Sequence, residues 1–332
     1  LQQMKIAIVI LNWNGEKLLS KFLPSLINNS SGANLYLIDN ASNDGSVKFV
    51  SKNYPSIHII QNNSNKGYAQ GYNEGLKQVQ ADIFCLLNND VKVSENWLDD
   101  IITLFKQDIN TAIIQPKILD FNRQDSFEYA GAAGGFIDKY GYPYCRGRIF
   151  DTIEKDELQY EGVSDIFWAS GACLFVRKSV FNELNGFDES FFAHHEEIDL
   201  CWRAKNSGHT IKYLSSSHVY HLGGGTLNAQ NSRKTFLNFR NSLFNITKNA
   251  NGNLLALVAV RLFLDGIAGL YYLLQLKPSH TFAIIHAHLS YYQHLPQLLS
   301  KRKQLIQKPH YFHRRSIIWC YFILRKKFYN SL

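Results

Sequence analysis

The chain has 332 residues, 45% of them apolar and 19% charged, enough to bury one large core or two modest ones and unlike a disordered polymer. Its net charge of +8 is unevenly placed: Asp265 is the last acidic residue, and ten Lys and Arg between Lys277 and Lys327 leave a net −2 on the first 265 residues. Five scattered cysteines (Cys85, Cys145, Cys173, Cys201, Cys320) with no Cys-x-x-Cys pair argue against a disulfide framework or a zinc ribbon and fit a reducing cytosol.

No basic segment with an apolar core and a small-residue cleavage site precedes the first strand-like run, so no secretion signal is read. Short β-rich runs occupy residues 6–11, 35–38, 57–60, 83–87 and 112–115, and helix-like stretches follow the first four at 16–28, 46–53, 69–79 and 96–106. This alternation predicts βαβ units and a mainly parallel sheet, an α/β fold whose ligands gather at the carboxyl ends of the strands. Each of those ends is polar: Asn12-Trp13-Asn14, Asp39-Asn40-Ala41-Ser42, Asn62-Asn63-Ser64-Asn65 and Asn88-Asn89-Asp90. Asn and Asp also close turns by bonding their own backbone, so each end taken singly reads equally well as punctuation. Together they describe a pocket with many hydrogen-bonding groups and few charges, suited to a base and a ribose. Asp39 can accept from a ribose hydroxyl or a pyrimidine N–H, Asn14 can donate and accept, and Gly67 and Gly71 let the backbone approach a ligand. No Gly-x-Gly-x-x-Gly follows the first strand, which excludes the usual dinucleotide site. A hard divalent cation needs only one or two carboxylates beside substrate phosphates, and Asp90 at the tip of a buried strand offers one.

Further along, Glu196, Glu197 and Asp199 cluster before a helix-like run, where mutual repulsion raises a carboxyl pKa toward that of a general base. Acidic residues at a helix start are also ordinary dipole partners. His194, His195, His209 and His218 lack metal-site spacing and are read as structural. Beyond residue 230 the pattern is helical. The apolar stretch 254–276 is long enough to span a bilayer, but Arg261 and Asp265 in its middle predict a packed or interfacial helix, and 282–299 reads similarly. The basic tail, interleaved with Tyr311, Phe312, Trp319, Tyr321 and Phe322, predicts an anionic membrane surface as partner and no nucleic acid.

Several ordered motifs resemble the inverting family 2 glycosyltransferases, within them a bacterial branch rich in rhamnosyltransferases. They are Leu11-Asn12-Trp13-Asn14-Gly15, Asp39-Asn40-Ala41-Ser42, Asn65-Lys66-Gly67-Tyr68-Ala69, Asn88-Asn89-Asp90, Trp168-Ala169-Ser170-Gly171, His195-Glu196-Glu197-Ile198-Asp199 and Tyr220-His221-Leu222-Gly223-Gly224-Gly225. The resemblance implies a GT-A fold with a catalytic domain over 1–230 and a helical, basic, membrane-associating region over 231–332. It implies that Asn12, Asn14, Asp39, Asn65, Lys66, Gly67, Asn73 and Asn88 hold the nucleotide, that Trp168, Ser170 and Gly171 form the acceptor side, and that Asp90 and His221 hold Mn2+ or Mg2+. Glu197 stands where the family places its base, with Glu196 and Asp199 beside it; the choice between Glu197 and Glu196 stays open. The implied activity moves a sugar from dTDP-rhamnose or a UDP-sugar to a hydroxyl of a glycan or lipid-linked acceptor in bacterial surface polysaccharide synthesis, on the inner face of the cytoplasmic membrane. A sugar-nucleotide binding protein without transferase activity and a basic scaffold are the alternatives.

Overall fold

A computed structural model describes residues 4–223 and 231–332; Gly224 and Gly225 of the glycine run lie outside them. The first half alternates as expected: β1 (Ile6–Asn12), α1 (Glu16–Asn29), β2 (Asn34–Asp39), α2 (Ser46–Asn53), β3 (His58–Gln61), α3 (Gly67–Leu76), β4 (Ile83–Asn88), β5 (Val91–Val93), α4 (Asp99–Gln107) and β6 (Thr111–Asp120). Four short strands follow, β7 (Gly135–Ile137), β8 (Pro143–Cys145), β9 (Arg148–Ile149) and β10 (Thr152–Ile153), and form a small antiparallel sheet of their own. Then come β11 (Val163–Asp165), β12 (Cys173–Arg177), α5 (Lys178–Glu183), α6 (Glu196–Ser207), β13 (Thr210–His221), α7 (Ser232–Asn249), α8 (Leu254–Leu274) and α9 (Pro278–Gln304).

The main sheet runs β11-β13-β6-β12-β4-β1-β2-β3, with β5 paired to β13. β1 lies parallel to β2 and β4, and β12 inserts antiparallel between β4 and β6. Both faces are covered, which is why these strands read as continuous apolar runs. Ile6, Ile8 and Ile10 of β1 point into one core with Leu19, Leu23 and Phe105, while Ala7 and Val9 point into the other with Tyr72, Phe181 and Trp202. The period of two along the strand assigns alternate residues to the two cores.

Several boundaries differ from the sequence reading, among them the start of α4, three residues late, and those of β6 and α3. β6 continues to Asp120 through Pro116, a residue that cannot donate to a ladder; the register shift in β13 between Leu214 and His218 lies opposite it and accommodates the missing bond. α3 begins at Gly67, two residues early, and ends at Leu76. The boundary expected after residue 230 falls beside the undescribed stretch, and α7 beyond it packs on α6. The basic tail also returns to the protein. Ile317 N donates to Asp138 Oδ2 (2.9 Å), Tyr311 OH to the Lys139 carbonyl (2.6 Å) and Tyr329 N to Glu154 Oε1 (3.1 Å), so much of its aromatic content caps the small sheet.

Candidate active site

Register sets the first part of the site: Asn12 pairs with Asp39 across β1 and β2, and Leu11 with Asn88 across β1 and β4, so three polar strand ends share one rim. Asp39 is buried, and its Oδ1 accepts from Asn12 Nδ2 (3.2 Å) and Ser42 Oγ (2.6 Å) while Oδ2 accepts from Ser42 N (2.9 Å). Asn14, in the left-handed region at φ 52°, lends its Oδ1 to Asn43 N. Asn40 donates to Asn65 Oδ1 (2.9 Å) and to the Gly67 carbonyl (3.1 Å), fastening the next loop to the same rim. Gly67 has φ +89°, and an added Cβ would lie 2.4 Å from the Phe192 carbonyl oxygen; only glycine lets this loop meet the segment before α6.

The second part lies one strand over. Asp90 and His221 are both buried, with His221 Nε2 3.1 Å from Asp90 Oδ1 and 3.4 Å from Asn88 Nδ2. On the other side of the ring, His221 Nδ1 lies 3.3 Å from Glu128 Oε1, close enough for an ion pair though not aligned as a hydrogen bond. Burial opposes the imidazolium, but the Glu128 and Asp90 carboxylates outweigh it and push the His221 pKa up to about 10. Two adjacent positions of an octahedral ion with ligands at about 2.1 Å lie about 3 Å apart. The Asp90–His221 separation therefore fits a divalent cation that would take the place of the Nε2 proton. Among the described residues no third His, Cys, Asp or Glu completes a protein-only cage, which leaves room for phosphate oxygens.

The third part is an acidic turn. Phe192, His194 and His195 all have φ between 65° and 71°, strained for residues with a Cβ, and deliver Glu196 and Glu197 at the start of α6. α7 holds this turn: Asn241 Nδ2 lies within 3.0 Å of the Phe191, Ala193 and His194 carbonyls, and Asn245 donates to His195 O. One oxygen of Glu196 and one of Glu197 are buried with no hydrogen-bond partner among the described residues. Burial pushes Glu197 up to about 7; burial and then the Glu197 charge hold Glu196 well above the ordinary range. A Cβ built on Gly171 would stand 3.1 Å from Tyr68 OH and 3.9 Å from Glu197 Cδ, so glycine keeps that approach open. Tyr68 OH donates to the Gly171 carbonyl (2.9 Å), and Ala172 O accepts from Asn88 N (3.0 Å). The pairing of β12 with β4 thus ties both groups to one short stretch of backbone: Gly171 adjoins Glu197, and Asn88, bonded to Ala172 O, adjoins His221.

Residues 7–184 match the family described as Glycosyl transferase family 2. The chain belongs to that family. An N-acetylglucosaminyl-diphospho-decaprenol L-rhamnosyltransferase of Mycobacterium tuberculosis is 25% identical over 241 residues, 65% of this chain and 75% of the relative. The low-salt glycan biosynthesis hexosyltransferase Agl10 of Haloferax volcanii is 25% identical over 245 residues, 71% of this chain and 73% of the relative. The structure of GalNAc-T7 with UDP, GalNAc and Mn2+ superposes with a TM-score of 0.58 at 16% identity, over 75% of this chain and 49% of that one. The fold is accordingly GT-A-like, and the protein is a glycosyltransferase.

In this glycosyltransferase five expected site residues have other partners. Asp199 is fully buried, its Oδ2 bound to Arg203 Nε (2.7 Å) and its Oδ1 to Lys248 Nζ (2.7 Å) and Asn249 Nδ2 (2.8 Å). It anchors α6 to α7 and has no free oxygen for a proton. Trp168 is 3% exposed, packs on Gly135 and donates to the Phe136 carbonyl, which makes it a core residue and not an acceptor wall. Asn73 clasps the Phe187 backbone through both its amide groups, away from the strand ends. Lys66 turns outward to Glu74 (3.3 Å), and Ser170 lies buried under Gly171, accepting from Ala172 N. Tyr68, Glu128 and Asn241 have no role in the sequence reading. Tyr68 was legible in principle beside Gly67; Glu128 and Asn241 stand in no motif and enter only through tertiary contact.

Proposed function

We propose that the protein is an inverting, metal-dependent glycosyltransferase that moves a sugar from a nucleoside-diphosphate donor to a hydroxyl of a lipid-linked glycan. The observation that carries this reading is Glu197, with a raised pKa, beside Gly171 at the β12–β4 junction, where Asn88 also meets the His221 ring that faces Asp90. Glu197 takes the acceptor hydroxyl proton. The acceptor oxygen bonds to the anomeric carbon as the bond from that carbon to the diphosphate breaks on the opposite face, so the configuration inverts and no covalent enzyme intermediate forms. Burial and the Glu197 charge hold Glu196 well above the ordinary carboxylate range, which favours its neighbour as the one that carries the charge. Asp39, Asn12 and the Asn65–Gly67 loop orient the nucleoside. Asp90 and His221 would hold Mn2+ or Mg2+, which would supply positive charge to the leaving diphosphate; an imidazole in the ligand set favours Mn2+.

The rhamnosyltransferase relative supports dTDP-rhamnose, and the UDP bound to GalNAc-T7 supports a UDP-sugar; the two bases, thymine and uracil, differ by one methyl group, worth about 1–3 kcal/mol in a pocket. The name of the mycobacterial relative, an N-acetylglucosaminyl-diphospho-decaprenol L-rhamnosyltransferase, supports a lipid-linked acceptor. The test is thermal stabilisation by UDP, dTDP, GDP and their sugar conjugates with Mn2+, Mg2+ or EDTA, on wild type and Asp90→Ala. A metal-dependent shift with one nucleotide, lost in the variant, is expected, followed by transfer from the matching sugar nucleotide. No shift with any nucleotide overturns the reading.

A further inference from the structure

α8 is built inside out for a helix on a water-soluble surface. Of its 21 residues only Leu257, Arg261, Asp265 and Gly269 are buried, a single stripe at a spacing of four. That stripe contains both charges of the helix. Asp265 Oδ1 accepts from Arg261 Nε (2.7 Å) and Tyr142 OH (2.9 Å), and Arg261 donates to Ser242 Oγ and the Tyr140 carbonyl and stacks on the Tyr142 ring. The remaining surface is apolar and open to solvent: Leu255 is 81% exposed, Phe263 69% and Leu274 76%. An ordinary surface helix carries the reverse pattern.

α9 lies against α8, with Thr281 Oγ1 donating to the Gly269 carbonyl at the corner. Phe282, Ile285, Leu289 and Tyr292, spaced at three and four, are all about half exposed or more. The two helices therefore present a continuous apolar plate, of a kind that monomeric soluble proteins rarely leave uncovered.

We propose that the outward faces of α8 and α9 seat the protein on an anionic lipid surface, with the plate in the acyl boundary and the basic groups of the tail over the headgroups. Three observations select this occupant. The chain after Asp265 carries ten Lys and Arg and no acidic residue, so a second copy brings like charge against like, whereas anionic headgroups neutralise it. The outward side of α8 offers almost no hydrogen-bonding side chain beyond Tyr271, while a protein interface of this size carries about one hydrogen bond per 100–200 Å². Arg261 and Asp265 are locked to Tyr140, Tyr142 and Ser242, so α8 lies along the surface and does not leave the protein to cross it. Ser242 adjoins Asn241, the clamp on the acidic turn; on the reading proposed above, the plate holds that turn near the membrane-borne acceptor.

The test is flotation of the full chain with phosphatidylcholine vesicles containing or lacking phosphatidylglycerol, for wild type and Phe263→Gln/Ile267→Gln/Leu270→Gln. Wild type should float with anionic vesicles, and the triple variant should lose at least tenfold in partitioning while keeping its melting temperature and nucleotide-induced shift. Wild-type partitioning of the variant, or a wild type that stays with the bulk solution and forms a dimer that the variant breaks, overturns the proposal. Phe263→Trp gives a check that does not depend on loss: brominated lipids should quench its added fluorescence relative to wild type, and no added quenching overturns burial in the acyl boundary. A chain that floats but binds no nucleotide leaves docking standing and removes the glycosyl-transfer reading. One that transfers sugar yet does not float removes docking alone.

Discussion

Replacing Glu197 by Gln keeps the outline of the side chain and removes the proton acceptor. General-base assistance contributes about 10²–10⁴-fold, or roughly 3–5 kcal/mol of barrier, so kcat should fall by that factor while the donor KM changes little. Stability should move the other way. The folded chain holds the Glu197 proton more tightly than the unfolded chain does, because burial raises its pKa from 4.5 to about 7. That contribution is complete below the unfolded value and is lost as pH rises through about 7, a decline of up to about 3 kcal/mol. A glutamine stays neutral and escapes it. The variant should therefore melt higher than wild type at pH 8, match it near pH 4, and show no rise in residual kcat/KM through pH 7. Nucleoside diphosphate release in steady state and thermal melts across pH read both effects. Near-normal turnover in Glu197→Gln with collapse in Glu196→Gln would move the base to the neighbouring residue. A lower melting temperature at pH 8 would refute the account of burial.

Asp199→Ala leaves the Lys248 and Arg203 cations without a shared carboxylate and should cost about 3–5 kcal/mol in chemical denaturation. Asn241→Ala strips the donor from three carbonyls of the acidic turn; a loss of about 1–3 kcal/mol is expected, with a kcat decrease larger than any change in donor affinity measured by calorimetry. Glu128→Gln removes the carboxylate behind His221 and should weaken Mn2+ binding about 10- to 100-fold by electron paramagnetic resonance, with the nucleotide affinity in EDTA unchanged. Gly67→Ala forces a Cβ toward the Phe192 carbonyl at a positive φ and should destabilise by more than about 1 kcal/mol in melts.

Local pattern made the donor half legible. Ile6, Ile8 and Ile10 alternate with Ala7 and Val9, and the polar residues at each strand end announce the rim, because strand period and turn chemistry are properties of short segments. The acidic turn was legible as a cluster, but the division of labour within it was not. Asp199 is set apart from Glu197 by its partners: Arg203 one turn on in the same helix, and Lys248 and Asn249 from a helix some fifty residues later. Trp168 was misplaced for a similar reason: a side chain beside Ser170 and Gly171 in sequence turns instead into the cavity that Gly135 leaves for it. The antiparallel insertion of β12 between β4 and β6 has no signature in the sequence, since its apolar run reads like any buried strand.

Asn241 gives the molecule a seam that its chain order hides. One amide on α7 sets the path of the turn before α6, and Asp188 is tied in turn to Lys248 and to Lys301 of α9. The acidic turn thus travels with the helices, and the rim of polar strand ends, the proposed nucleotide site, with the strands. A chimaera that exchanges the rim for a relative's, to change the donor sugar, is best joined ahead of Asp188, so that everything from there to Lys301 passes across intact.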